Sequence, residues 1–322
     1  MRRVLVVVCL VALVAVGFWR FRSRGGSREE AYIRDRSVTL WSRLAQVREP
    51  VAVLRYGERV AIVQRKNAQV QVRTAQGETG WVDERHLMEA ELWHRANQLL
   101  EQARPIPVQG RGHTRVLTNV RAEPGRAGPR IYQFGRGVPV EVLGRATAEW
   151  SSLAEEAQMP AKETQAQPAE LHPQRREDWL LVRGSSEEAG EVAGWVLRRF
   201  VELDLPEPLR DYAAGIRFVA WFELNRVLDG GEERPEYLAV GAKGGEGQAC
   251  DFTLLRVYTW STKRKRYETA YVESALCGRL PIRLTQQASL SVFRFAATGR
   301  KGDEEREYRM RQNIVRRVRG TK

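Results

Sequence analysis

Gly77-Glu78-Thr79-Gly80-Trp81-Val82, followed by Arg85 and Leu87, returns further along the chain as Gly190-Glu191-Val192-Ala193-Gly194-Trp195-Val196, followed by Arg199 and Val201. Counted from the Gly-Trp pair, an Arg stands at the same offset in both copies. Upstream, Val47-Arg48-Glu49-Pro50 and the stretch from Leu54 to Val63 match Val120-Arg121-Ala122-Glu123-Pro124 and the stretch from Tyr132 to Leu143. Apolar and polar residues alternate through Val60 and Ile62, and again through Val138, Val140 and Val142, the period of strands with one buried face. Val70-Gln71-Val72-Arg73 and Trp179-Leu180-Leu181-Val182 place a further strand ahead of each Gly-Trp. A small all-β module is used twice.

The order Val-Arg-x-x-Pro, then Tyr56-Gly57 or Phe134-Gly135 ahead of a Val-rich strand, then Gly-Trp-Val, resembles the bacterial SH3 (SH3b) domain family. The resemblance covers roughly residues 31–90 and 112–203, and Gly-Trp-Val is its most specific part. It implies two small SH3-like β-barrels. The first copy departs from the family pattern, with Ala68-Gln69 where an aromatic is usual, while the second keeps Trp179. The second also carries an insertion, 147–178, rich in Ala, Glu, Gln and Pro and without periodicity, which reads as a disordered surface loop.

Between the copies, Leu92, Trp93, Ala96, Leu99, Leu100 and Ala103 fall at helical spacing, and Pro105-Ile106-Pro107 ends the pattern. The expectation is an amphipathic linker helix whose stripe packs on a barrel. The last third shows strand-like runs at Ile216–Leu224, Tyr237–Val240, Phe252–Trp260, Tyr267–Val272 and Leu290–Phe295, with a hairpin turn at Thr262–Arg266 and a final run, Glu307–Arg319, that fits a strand or a basic helix. The expected organisation is a segment 1–28 as signal-anchor, barrel 1 at 29–90, linker helix 91–108, barrel 2 at 109–203, and an Arg-rich all-β domain of no recognised family at 204–322.

Composition narrows the function. The 322 residues are 43% hydrophobic and 29% charged, ordinary for folded soluble domains. Only Val4–Trp19 is continuously apolar, which excludes a multi-span membrane protein. As helix that run spans about 24 Å, short of a bilayer core, but Arg3 and Arg20 can snorkel and Phe18 and Trp19 fit an interfacial belt. An uncleaved anchor is favoured over a signal peptide cleaved after Gly17; Cys9, preceded by Val8, does not fit a lipoprotein site. The net charge of +13 is concentrated at the ends: residues 1–30 carry six Arg against two Glu, and residues 300–322 nine basic against four acidic residues. Seven of the 53 basic residues are Lys, an Arg bias that a GC-rich genome also produces.

Chemistry is sparse. No His follows His172, so the C-terminal domain has no Cys–His nucleophile or His-ligated zinc of its own. This bears on SH3b modules, which are often joined to cell-wall peptidases and amidases. No catalytic residue, metal or cofactor is expected; a glycosidase built on an unidentified carboxylate pair is a third, weaker class. Gly241–Gly247 lacks the Gly-Lys-Ser/Thr of a phosphate loop and reads as a hairpin loop. Cys250 and Cys277 form one possible disulfide, the alternative being two buried thiols. Lys263, Arg264, Lys265 and Arg266, near Tyr258, Trp260 and Tyr267, make a basic surface that suits an anionic envelope polymer; nucleic acid is not an expected partner. Trp81 and Trp195 read first as structural, Gly allowing close strand approach and Trp packing on the barrel. Trp41, Tyr56, Tyr132 and Phe134 are the candidates for an exposed binding groove, and the six aromatics form the candidate ligand set.

The function implied is a non-catalytic cell-envelope binding or scaffold protein, single-pass in the inner membrane with its bulk extracytoplasmic (periplasmic), or secreted if cleaved. Its barrels would bind peptidoglycan or an envelope protein. The alternative is a regulatory accessory subunit of a cell-wall hydrolase.

Overall fold

The structure, a computed structural model, describes residues 29–150, 175–212, 215–287, 290–299 and 302–318. The apolar run with Cys9 and Gly17, and the central 151–174 of the insertion, lie outside them. Among the described residues no helix is long and apolar enough to cross a membrane. The protein is mainly β and divides into two compact units, Met1–Ala90 and Glu91–Lys322.

The first unit holds seven antiparallel strands, β1 (Glu30–Ile33), β2 (Ser37–Trp41), β3 (Pro50–Arg55), β4 (Arg59–Lys66), β5 (Gln69–Arg73), β6 (Thr79–Asp83) and β7 (Leu87–Glu89), in the order β3-β2-β6-β5-β4-β1-β7. Alternation sends Val60, Val70, Val72 and Val82 to one core with Ile33, Leu40 and Leu54. The Gly of Gly-Trp is required by contact. A Cβ on Gly80 would lie 2.7 Å from both the Trp41 carbonyl oxygen and Leu40 Cγ, where β6 meets β2 and Trp81 faces Trp41.

The second unit opens with helix α1 (Ala90–Ala103), whose Ala96 and Ala103 are buried. Seven strands follow: β8 (Gly110–Thr114), β9 (Thr118–Arg121), β10 (Arg130–Phe134), β11 (Pro139–Glu149), β12 (Arg176–Ser186), β13 (Gly190–Leu197) and β14 (Val201–Leu203). Their order, β10-β9-β13-β12-β11-β8-β14, repeats that of the first unit strand for strand. Gly194 repeats the contact of Gly80, its hypothetical Cβ falling 2.5 Å from Val120 Cγ1 and 2.8 Å from the Arg121 carbonyl oxygen. Helix α1 presses Leu99, Leu100 and Ala103 onto Leu143, Leu181 and Ala193 of this module.

Two sequence readings change. Trp41 pairs with Pro50 and faces Trp81, while Arg121 pairs with Arg130 and faces Trp195. The counterpart of Val120-Arg121 is therefore Leu40-Trp41, and Val47-Arg48 lies in the loop after it. The insertion is also shorter at both ends than 147–178. Thr147, Ala148 and Glu149 pair with Asp178, Glu177 and Arg176 as the far end of the β11–β12 hairpin. Polar composition disguises this arm because Glu177 and Asp178 are buried through ion pairs rather than through apolar contact.

The rest of the second unit is a short helix, α2 (Glu207–Arg210), and an eight-stranded antiparallel sheet: β15 (Arg217–Asp229), β16 (Glu232–Ala242), β17 (Phe252–Ser261), β18 (Arg266–Gly278), β19 (Arg283–Gln287), β20 (Leu290–Gly299), β21 (Gly302–Arg311) and β22 (Ile314–Val318). The final basic run is thus a hairpin of strands, not a helix. Its core stacks Tyr308 on Phe293 and Phe295, with ring centroids 5.1 and 5.5 Å apart.

This sheet and the second module share buried polar contacts. Arg145 on β11, 1% exposed at its side chain, donates to Asp178 Oδ1 at 2.5 Å and Asp251 Oδ1 at 3.1 Å. It also donates to the carbonyls of Gln248 at 2.9 Å and Cys250 at 3.1 Å. Asp178 accepts further from the Gly247 amide at 2.8 Å and lies 3.4 Å from Arg217. Burial raises the Asp251 carboxyl above its ordinary value, against the Leu280 amide and Arg145. Gln109, fully buried, accepts from the Ile282 amide at 2.7 Å, and its carbonyl accepts from Trp221 N–H at 3.0 Å. Cys250 and Cys277 are joined by a disulfide beside this joint.

Candidate functional site

Both seven-stranded modules have a cleft of about 430 Å³ at the same place, between the second strand, the fifth strand and the 3-10 turn that follows the sixth. The registers fix the equivalence. Gln69 faces Asp83 as Trp179 faces Leu197, and Trp41 faces Trp81 as Arg121 faces Trp195. Thr39, Trp41, Gln69, Asp83, Arg85 and His86 in the first cleft thus correspond to Asn119, Arg121, Trp179, Leu197, Arg199 and Phe200 in the second.

The first cleft mixes an aromatic face with paired charges. Trp41 is half-buried, and the Arg48 guanidinium sits 4.2 Å from its ring centroid, a cation–π contact. Asp83 caps the turn by accepting from the Arg85 amide at 3.0 Å and takes a second bond from Gln69 at 3.4 Å. His86 Nδ1 is hydrogen-bonded to Asp35.

The second cleft is cationic. Arg121, Arg126 and Arg199 line it, and among the described residues no Asp or Glu does. Behind them Glu177, 2% exposed, accepts two bonds from Arg126 and one from Arg199, all at 2.9 Å. Burial alone would raise the Glu177 carboxyl; the hydrogen bonds from Arg126 and Arg199 outweigh it and hold the group below the ordinary carboxylate range. Arg121 donates to the Gly128 carbonyl oxygen. Burial, then the neighbouring Arg130 and Arg126, holds its guanidinium below its ordinary value.

Of the six aromatics proposed as a ligand set, Trp41 lines one of these two clefts. Tyr132 and Phe134 do not form an exposed groove: both are 0% exposed, edge-on at 5.4 Å, with the Tyr132 hydroxyl bonded to Ser186 Oγ at 2.8 Å. They stand two residues apart on one face of β10, and that face is turned to the core. Trp81 is 9% exposed, and Trp195 packs on the cluster beneath α1. Tyr56 lies in the turn after β3, away from the cleft.

Lys263–Arg266 form the β17–β18 turn, where Lys265 pairs with Asp229, and Arg264 and Arg266 share Glu268 at 2.8 and 3.2 Å. Much of that positive charge is thus locally compensated. The residues missed in the sequence are Arg121 and Trp179, whose facing needs the register. Arg85 and Arg199 carried a signal in their shared offset from Gly-Trp. Cys250 and Cys277 are bonded to each other, so neither presents a thiol. Among the described residues no group of three or more His, Cys, Asp or Glu is placed to hold a metal ion.

No protein-family model matches the chain, and no curated protein does. Among solved structures, an NlpC/P60 family protein from Bacillus cereus ATCC 10987 matches 56% of this chain at 13% identity and a TM-score of 0.21. The match spans 57% of that protein's length. NlpC2 from Trichomonas vaginalis matches 77% of this chain and 96% of its own at 10% identity and a TM-score of 0.18.

Proposed function

We propose that this chain is a non-catalytic binding or scaffold protein of the bacterial cell envelope. In this reading its two seven-stranded modules are SH3b-like barrels that bind peptidoglycan or an envelope protein through their clefts, and residues 1–28 anchor it in the inner membrane with its bulk outside the cytoplasm. The observation that carries the reading is the duplicated cleft: same strands, same register, same volume, different lining. A duplicated frame whose equivalent clefts are lined differently suits two linked sites for parts of one extended ligand. Two weak sites on one chain gain through effective concentration when both engage together.

The test is co-sedimentation of the purified chain with peptidoglycan sacculi at low and high salt, beside Trp41→Ala. Retention at high salt that weakens in the variant supports wall recognition by the clefts. Retention that salt abolishes and the variant leaves unchanged assigns the contact to surface Arg and removes the clefts from the mechanism. No retention at either salt rejects the wall as ligand and leaves an envelope protein, to be sought by cross-linking in membranes.

A further inference from the structure

We infer that the cleft of the second module is a binding site for an oxyanion, a carboxylate or phosphate group carried on a small ligand, held by Arg121 and Arg199 beside the indole ring of Trp179. Two features of its lining converge on it. The first is charge. Among the described residues the lining holds three guanidinium groups and no carboxylate, and Glu177, buried behind them, is shared between Arg126 and Arg199. No ion pair reaches Arg121 among the described residues.

The second is unused donor capacity. A guanidinium carries five N–H donors in a planar fork matched to oxyanions. Arg121 gives one to the Gly128 carbonyl, and Arg199 gives one to Glu177. Trp179, 3% exposed, forms part of the same wall and reports on what enters the cleft. Its Nε1–H has no hydrogen-bond partner. The first cleft has Gln69 in the place of Trp179 and Trp41 in the place of Arg121, so the site belongs to the second module alone.

The inference does not depend on what the first cleft binds, so a chain that fails it and still sediments with sacculi leaves the preceding reading standing. The experiment follows the nine indole N–H resonances of the 15N-labelled chain during titration with inorganic phosphate and, separately, with N-acetylglycine as a carboxylate. The expected result is a saturable shift of one resonance, the one missing from Trp179→Phe. Arg121→Gln and Arg199→Gln should each weaken that response at least tenfold. Arg311→Gln, which removes an equal charge from an exposed position on β21, should leave it unchanged. Response to phosphate alone, or to N-acetylglycine alone, supports the site and identifies its anion. No response to either, or a response that the Arg121 and Arg199 variants leave intact, overturns the inference. Because Arg199 is 38% exposed at its side chain, its variant retains the fold and keeps the test decisive if Arg121→Gln does not fold.

Discussion

Arg145→Met is the perturbation that tests the joint between the second module and the eight-stranded sheet. Arg145 makes four hydrogen bonds, two of them to carboxylates whose side chains are 1% and 8% exposed. Met fills much of the same volume and supplies no donor. Asp178 is then left with the Gly247 amide and Arg217, and Asp251 with the Leu280 amide. Removing one partner of a buried ion pair costs about 3–5 kcal/mol, because the stranded charge has already lost its water. At about 2–4 °C per kcal/mol for a unit of this size, the second unit should melt roughly 6–20 °C earlier. The assay is urea and thermal unfolding of the whole chain followed by near-UV circular dichroism. The transition of the second unit should move, and that of residues 29–90 should stay. Adding Asp251→Asn to Arg145→Met removes one stranded charge and should recover at least about 1 kcal/mol. A shift below about 1 kcal/mol, or equal shifts in both transitions, would refute the claim that this residue locks the joint.

Gly80→Ala and Gly194→Ala should each cost about 1–3 kcal/mol through the backbone and side-chain contacts their Cβ atoms would make, the first lowering only the transition of the first unit and the second only that of the other. Cys277→Ser opens a loop closed across 27 residues, and loop entropy puts the loss at about 3.5 kcal/mol; dithiothreitol should reproduce it in the wild type and do nothing to the variant. Glu177→Gln should destabilise the second unit by about 1–3 kcal/mol at pH 7. Since the folded pKa of Glu177 lies below its ordinary 4.5, its stabilisation is complete above about pH 4.5 and is lost as pH falls through the folded value. The gap between wild type and variant should therefore close below pH 4.5 in urea melts, and a constant gap would exclude the charge as its source.

The doubled β-module was legible because Gly-Trp is fixed by contact: at Gly80 and Gly194 no other residue lets the strands meet. Alternation through Val60, Val70 and Val72 gave the core for the same reason. What stayed hidden depends on register. Leu40-Trp41 and Val47-Arg48 both present an apolar residue before a larger one, and only the pairing of β2 with β6 chooses between them. Tyr132 and Phe134 read as a groove because aromatic side chains serve a binding face and a core alike, and only the pairing of β10 shows that their shared face is the core. The arm at 176–178 read as loop because its burial is ionic, with partners 33, 51 and 69 residues away in sequence. The cleft was half legible: the common offset of Arg85 and Arg199 was visible, but the facing of Trp179 and Arg121 onto it was not.

The clasp around Arg145 also separates the order of synthesis from the order of folding. A ribosome that has released residues to Leu203 has released every strand of the second module, but not the segment Gln248–Asp251 that completes the coordination of Arg145. At bacterial and eukaryotic elongation speeds that delay is roughly 2–10 s. The first module, whose strands end at Glu89, can close while translation continues. The second must wait, half-satisfied, with a guanidinium and a carboxylate still seeking water. During that interval it is the part of the nascent chain most in need of a chaperone.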